Sequence, residues 1–153
     1  MKPLLSGLLP LCASFTVACG IPLPKASVDV LAHADTFEVY RLEPHTEAPP
    51  EQTFLGNKIV ARATVRDPKA RDRIWNVVDQ GVRSGGTRAK CFNPHHGIHA
   101  IRGTEIVDLV ICYECGEVDV NGPNGVTIVS TADVGAKLDA ELRAVGLEPL
   151  VHP

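Results

Sequence analysis

The sequence lacks a cluster of basic residues, an apolar run long enough to cross a bilayer, and any internal repeat. Each absence removes a class of protein. Phosphate backbones are gripped by Lys and Arg gathered on one surface. Here the densest basic run, Arg62, Arg66, Lys69, Arg71 and Arg73, is interleaved with Asp67 and Asp72. Mixed signs at that spacing read as a solvated helix entry, so nucleic acid is not an expected partner. The most apolar stretch, Leu4 to Ala18, is 15 residues broken by Pro10, short of the roughly 20 that a spanning helix needs. Without a repeat, stacked-repeat architectures drop out as well.

What the chain does have begins with that apolar stretch. Lys2 supplies a minimal positive start, and the run ends Phe15-Thr16-Val17-Ala18-Cys19-Gly20. A short apolar segment closed by small residues reads as a signal peptide over residues 1–18 rather than a membrane helix. Val17-Ala18-Cys19 resembles the lipobox of bacterial lipoproteins, in which the Cys is acylated and the peptide is cut just before it; Thr16 stands where that motif usually carries Leu. The resemblance implies lipidation, palmitate included, at Cys19. Several acyl chains on one residue hold a protein stably on a membrane. The expected location is therefore the cell envelope, with the membrane as partner through Cys19. Gly20 in place of Asp points to the outer membrane, facing the periplasm, if the source has two membranes. A plainly secreted protein cut near Ala18 is the alternative.

Loss of the leader takes the net charge from −3 to −4 and leaves enough chain for one hydrophobic core. Residues 19–26, with Pro22 and Pro24, read as a tether, and residues 27–153 as a single domain. Thr36–Leu42 and Ile59–Val65 alternate like half-buried strands. Asp67-Pro68 starts a helix whose apolar face is Ala70, Ile74, Val77, Val78 and Val82, ended by Gly81, Gly85 and Gly86. Trp75 flanks that face as packing. Strands are then expected at Arg88–Phe92, Ile98–Arg102, Ile106–Tyr113, Glu117–Val120 and Val126–Ser130, the last two joined through turn-forming residues. Ser130 to Asp133 has capping-box spacing, and Val134, Leu138, Leu142 and Val145 mark a second helix stopped by Gly146. This predicts an α+β fold: an antiparallel sheet of about five to seven strands with two helices packed on one face.

The chemistry is concentrated in Cys91, His95, His96, His99, Cys112 and Cys115. Once Cys12 has left with the leader and Cys19 has taken the lipid, three cysteines remain, an odd number that cannot all pair within the chain. One answer is a tetrahedral zinc site with three thiolates and one imidazole. Cys112-Tyr113-Glu114-Cys115-Gly116 looks like the knuckle of rubredoxins and zinc ribbons, whose Gly lets amides approach the sulfurs without a Cβ clash. Cys91 with His95 or His96 completes the set, and His99 is in reserve. The rival is a disulfide, because exported thiols that lie close together oxidise. A CxxC can also shuttle electrons, with Cys112 and Cys115 cycling. Two features oppose a fast exchange catalyst: Cys112 does not open a helix, whose dipole would favour the thiolate, and Glu114 and Glu117 stand nearby. No Asn or Asp shows an orienting role toward a Cys–His pair, so hydrolase and transferase chemistry is not expected.

Cys91-Phe92-Asn93-Pro94-His95-His96-Gly97, followed by Asp108-Leu109-Val110-Ile111-Cys112-Tyr113-Glu114-Cys115, resembles small bacterial exported lipoproteins with a Cys-Phe-x-Pro-x-His and Ile-Cys-aromatic-x-Cys pattern. The likeness spans residues 55–147 and brings no established activity, cofactor or substrate. It implies that the three cysteines form one site and that His96, rather than His95, is the fourth ligand. The sequence thus points first to a non-enzymatic, lipid-anchored envelope domain with a zinc site at Cys91, His96, Cys112 and Cys115. An envelope thiol–disulfide redox or thiol-sensing protein using Cys112 and Cys115 is the alternative. A plain interaction module in which Cys91 bridges to one knuckle cysteine is the third.

Overall fold

The structure is a computed structural model that describes residues 20–149. The leader, Cys12, Cys19 and the last four residues lie outside the described residues. The elements run α1 (Lys25–Ala32), β1 (Thr36–Glu43), β2 (Thr53–Phe54), β3 (Asn57–Thr64), α2 (Pro68–Ser84), β4 (His96–Arg102), β5 (Glu105–Cys112), β6 (Glu117–Gly122), β7 (Gly125–Ser130) and α3 (Gly135–Ala144). The strands form one antiparallel sheet in the order β2-β3-β1-β4-β5-β6-β7. The α+β class and the strand number are as expected.

Alternation along the strands separates two clusters. Phe37 and Val39 of β1, Ile98 and Ala100 of β4, Val107, Leu109 and Ile111 of β5, and Val118 and Val120 of β6 join Val30, Leu31, Ala70, Ile74, Val78, Val82, Leu138 and Leu142 of the helices. Burying each large aliphatic side chain stabilises by about 2 kcal/mol as an upper estimate. Tyr40, Leu42, Phe54 and Val110 form a second, smaller cluster, with Ile59 and Phe92 packed against it and no helix residue in it. A register shift sets Arg41 opposite Ala61 but Leu42 opposite Ile59, so Val60 is an extra residue on β3. Such a bulge bends and twists the strand locally.

α2 follows its sequence signals. The Asp67 carboxylate accepts from the amides of Lys69 and Ala70 at 3.1 and 3.2 Å, Pro68 takes the first helical position, and Gly85 closes the helix at φ 68°. Gly81, expected among the terminators, lies inside the helix. A Cβ there would stand 2.6 Å from Thr131 Oγ1, so the glycine serves close approach rather than termination.

Four expectations need correction. A third helix, α1, begins directly after Pro24 with no side-chain cap. It is held by Val30 and Leu31 in the core, a tertiary cause that local propensity does not reveal. Arg88–Phe92 is not a strand. β4, the strand that follows it, already pairs with β1 on one side and β5 on the other and offers it no edge, and residues 87–95 form a loop. Ser130–Asp133 makes no capping box: α3 starts at Gly135 with Val134 at its cap and no side-chain cap bond, while Asp133 Oδ1 accepts from the Gly135 amide at 3.0 Å. The segment read as a tether is partly docked. Leu23 is buried in the core and the Gly20 amide donates to the Arg83 carbonyl at 3.1 Å.

Candidate functional site

Cys112 closes β5, and Cys115-Gly116 turns the chain into β6. Within this turn the Gly116 amide donates to the Tyr113 carbonyl, and the Cys115 amide points at Cys112 Sγ, 3.2 Å away. Gly116 is held at φ 65°, and a Cβ there would meet the Thr87 carbonyl at 2.4 Å. The glycine is therefore required twice, by its backbone conformation and by the loop packed over it. Cys112 and Cys115 are joined by a disulfide, and both are almost wholly buried, at 2 and 1 % exposure.

The 87–95 loop wraps this tip. The Ala89 amide donates to the Cys115 carbonyl at 2.8 Å, and the Asn93 amide donates to Cys115 Sγ at 3.2 Å. Arg88 Nε donates to Glu117 Oε2 at 2.5 Å, and Phe92 packs against the Tyr40 cluster. Between these anchors stands Cys91, exposed and free. The loop thus puts Cys91 beside the Cys112–Cys115 pair in the chain path, with its thiol on the surface rather than in a bond.

Both sulfurs of the pair are faced by a backbone amide, from Cys115 to Cys112 and from Asn93 to Cys115. N–H donors stabilise a thiolate when the bond opens, in the way a helix N-terminus would. Glu117, expected to oppose the thiolate, is paired with Arg88, while Glu114 is exposed and lines the cavity beside Cys112. The amides stand in for the missing helix dipole, and Arg88 offsets Glu117, while Glu114 remains uncompensated by any such pair among the described residues.

The histidines separate. His96 lies in β4, opposite Arg41 on one side and Ile111 on the other. Its Nε2 is 2.6 Å from Arg41 Nη1 and 3.0 Å from Asp139 Oδ1. Arg41, 2 % exposed, also donates to Asp139 Oδ1 through Nη1 and to the Glu148 carbonyl through Nε at 3.1 Å. Burial, opposed by the Asp139 hydrogen bond and aided by the Arg41 charge, lowers the His96 pKa from its ordinary value. One ring nitrogen serves one partner at a time: bare, it accepts from Arg41; protonated, it donates to Asp139. The His96 hydrogen bond, followed by that of Arg41, holds the Asp139 carboxyl down at about 2. His95 Nε2 faces Asn93 Nδ2 at 3.1 Å, and His99 Nδ1 faces Asp108 Oδ1 at 2.5 Å on the other side of the sheet.

A cavity of about 330 Å³ opens where these parts meet, with Arg41, His95, His96, Cys112, Tyr113 and Asp139 in its lining. Gly135 and Ala136 at the start of α3 close one side. Tyr113 is buried with its hydroxyl unpaired among the described residues, and burial raises its pKa.

Of the four residues expected around zinc, Cys112 and Cys115 are together in a bond, Cys91 borders them with an exposed thiol, and His96 is engaged with Arg41 and Asp139. Among the described residues no group of three or more His, Cys, Asp or Glu side chains is arranged to hold a metal ion. The sequence reading missed Arg41 and Asp139. A signal existed for Arg41: it continues the Phe37, Val39 alternation, so a charge falls where the strand faces the core. No family model, no curated protein and no solved structure matches the chain.

Proposed function

We propose that this is a lipid-anchored envelope protein whose chemistry is thiol–disulfide exchange at Cys112 and Cys115. The observation that carries it is the Cys112–Cys115 bond at a hairpin tip, in the lining of a cavity and with an amide directed at each sulfur. Exchange proceeds by attack of a thiolate on one sulfur while the other leaves, and amides aimed at the sulfurs favour the leaving thiolate. The anchor reading, a lipid on Cys19, concerns residues outside those described. Gly20, the next residue, has its amide on the Arg83 carbonyl at the end of α2. A lipid one residue earlier would hold that end of the domain at the membrane.

The zinc reading, with Cys91, His96, Cys112 and Cys115 as ligands, is the second proposal. It is favoured by the same amides, because N–H groups that steady thiolates also orient metal-bound sulfurs. It requires the disulfide to open and His96 to leave Arg41 and Asp139, or His95 to serve instead.

Thiol counting on protein purified from its native compartment, paired with elemental analysis, separates the two. The exchange reading expects one alkylatable thiol, Cys91, two more after reduction, and no stoichiometric metal. One zinc per chain, with all three thiols protected and none oxidised, would replace that reading with the metal site. The sharper mutant is His96→Ala, which should lower zinc affinity if His96 is a ligand and leave the disulfide intact if it is not.

A further inference from the structure

The disulfide has an access problem. Both of its sulfurs belong to residues exposed by no more than 2 %, yet exchange with another protein needs a thiolate in line with the S–S axis. The neighbouring cavity of about 330 Å³, with Cys112 in its lining, suits a small thiol. Cys91 is exposed and sits in the loop whose Ala89 and Asn93 amides are both bonded to Cys115. From the Asn93 nitrogen to the Cys91 Cα is two residues of chain, at most about 7 Å even when extended. A disulfide asks for Cα atoms within about 7 Å of each other. With the 3.2 Å from that nitrogen to Cys115 Sγ, the Cys91 Cα lies within about 10 Å of the sulfur it must reach, so a loop rearrangement of about 5 Å at most brings Cys91 onto Cys115.

We infer that Cys91 is the exchange port of the molecule, the residue that carries the Cys112–Cys115 oxidation to a dithiol on a partner protein; this rests on the exchange reading above. In the first step the Cys91 thiolate attacks Cys115 Sγ. The Cys91–Cys115 bond forms, the Cys115–Cys112 bond breaks, and Cys112 leaves as a thiolate facing the Cys115 amide and takes up a proton. In the second, a partner thiolate attacks Cys91 Sγ, giving a mixed disulfide and releasing Cys115. In the third, the partner's other thiol attacks its own bridged sulfur and frees Cys91. The partner loses two electrons as its disulfide forms, Cys112 and Cys115 gain them as thiols, and Cys91 ends unchanged. The attack falls on Cys115 because the loop is bonded to Cys115, whereas Cys112 belongs to the cavity lining.

The test uses the oxidised full chain and a reduced synthetic peptide with two cysteines as probe, with dithiothreitol as a small dithiol beside it. Wild type should oxidise the peptide one for one. Cys91→Ser should retain its Cys112–Cys115 bond by mass spectrometry, slow peptide oxidation about tenfold or more, and react with dithiothreitol through the cavity at a rate near that of wild type. Cys112→Ser supplies an independent arm: digestion should recover a Cys91–Cys115 disulfide. If Cys91→Ser oxidises the peptide as fast as wild type, or if Cys112→Ser keeps Cys91 as a free thiol, Cys91 is not the port and the exchange reading survives alone. If wild type oxidises neither dithiol, the exchange reading fails and the port with it.

Discussion

His96 and His99 stand three residues apart on β4 and so project from opposite faces of the sheet. Each meets a carboxylate, but the consequences differ. His99 and Asp108 are register partners on adjacent strands, so their contact joins two elements that the β4–β5 hairpin already joins. His96 meets Asp139 of α3 and Arg41 of β1, and Arg41 reaches on to the Glu148 carbonyl beyond the helix. The helix-side cluster thus encloses a polar junction linking segments far apart in sequence, while the other face carries local polar pairs around a small aromatic cluster. Distance along the chain, rather than bond length, decides how much tertiary structure a polar contact specifies.

The largest expected effect tests that distinction. Arg41→Ala removes the buried guanidinium from the partly exposed Asp139 carboxylate, leaving it His96 alone, takes the donor from the Glu148 carbonyl, and should cost about 3 kcal/mol in urea unfolding. Asp108→Ala removes a local pair and should cost about 1 kcal/mol. Equal losses would abolish the difference between the faces.

These contrasts bear on what the sequence could reveal. Strands with clean alternation, and α2 with Asp67-Pro68 before it and Gly85 behind it, were legible because local chemistry and tertiary environment agree there. α1 was not, since its cause is the burial of Val30 and Leu31 against distant strands. Arg88–Phe92 misled because a β-like composition says nothing about whether a sheet edge is free. At the site, the spacing of Cys112 and Cys115 announced a paired turn, while the odd cysteine count left open whether Cys91 joins them at one centre or stays apart as a spare thiol. The Arg41–His96–Asp139 junction stayed hidden because its members, 41, 96 and 139, meet only after folding.

The second face has its own sensitive point. A Cβ at Gly97 would lie 2.8 Å from two Phe54 ring carbons and 3.2 Å from Tyr40. Tyr40 and Phe54 are stacked at 4.6 Å and tilted, so neither ring yields without disturbing the other. Gly97→Ala should therefore cost 1 to 2 kcal/mol, roughly, by overpacking. Gly103→Ala is a poor control because its φ is 57°. Ala63→Gly, on a half-buried strand position of the opposite face, gives a backbone reference of about 1 kcal/mol. A neutral Gly97→Ala would mean that the aromatic cluster is loose, and the contrast between a packed and a soft face would sharpen.

The smallest effect is a pH dependence carried by His96. Its folded pKa is below the ordinary value of 6.5, through burial first and Arg41 second. In acid the unfolded chain therefore binds a proton on this ring that the folded chain refuses. Stability is unaffected by this group well above pH 6.5, falls as the pH drops through that value, and stops falling once the folded ring is protonated as well. Between pH 6.5 and 5.5 the loss from one such ring is at most about 1 kcal/mol. Asp139 does not blur this window: held down at about 2, its contribution is lost only as pH falls below the ordinary carboxylate value of 3.8. Urea midpoints across pH 7 to 5 should thus decline in wild type and decline less in His96→Gln, which keeps a polar group near Arg41 without a titrating one. An identical slope in both proteins would mean that the buried junction accepts a proton as readily as the unfolded chain does, and that Asp139 rather than burial governs the ring.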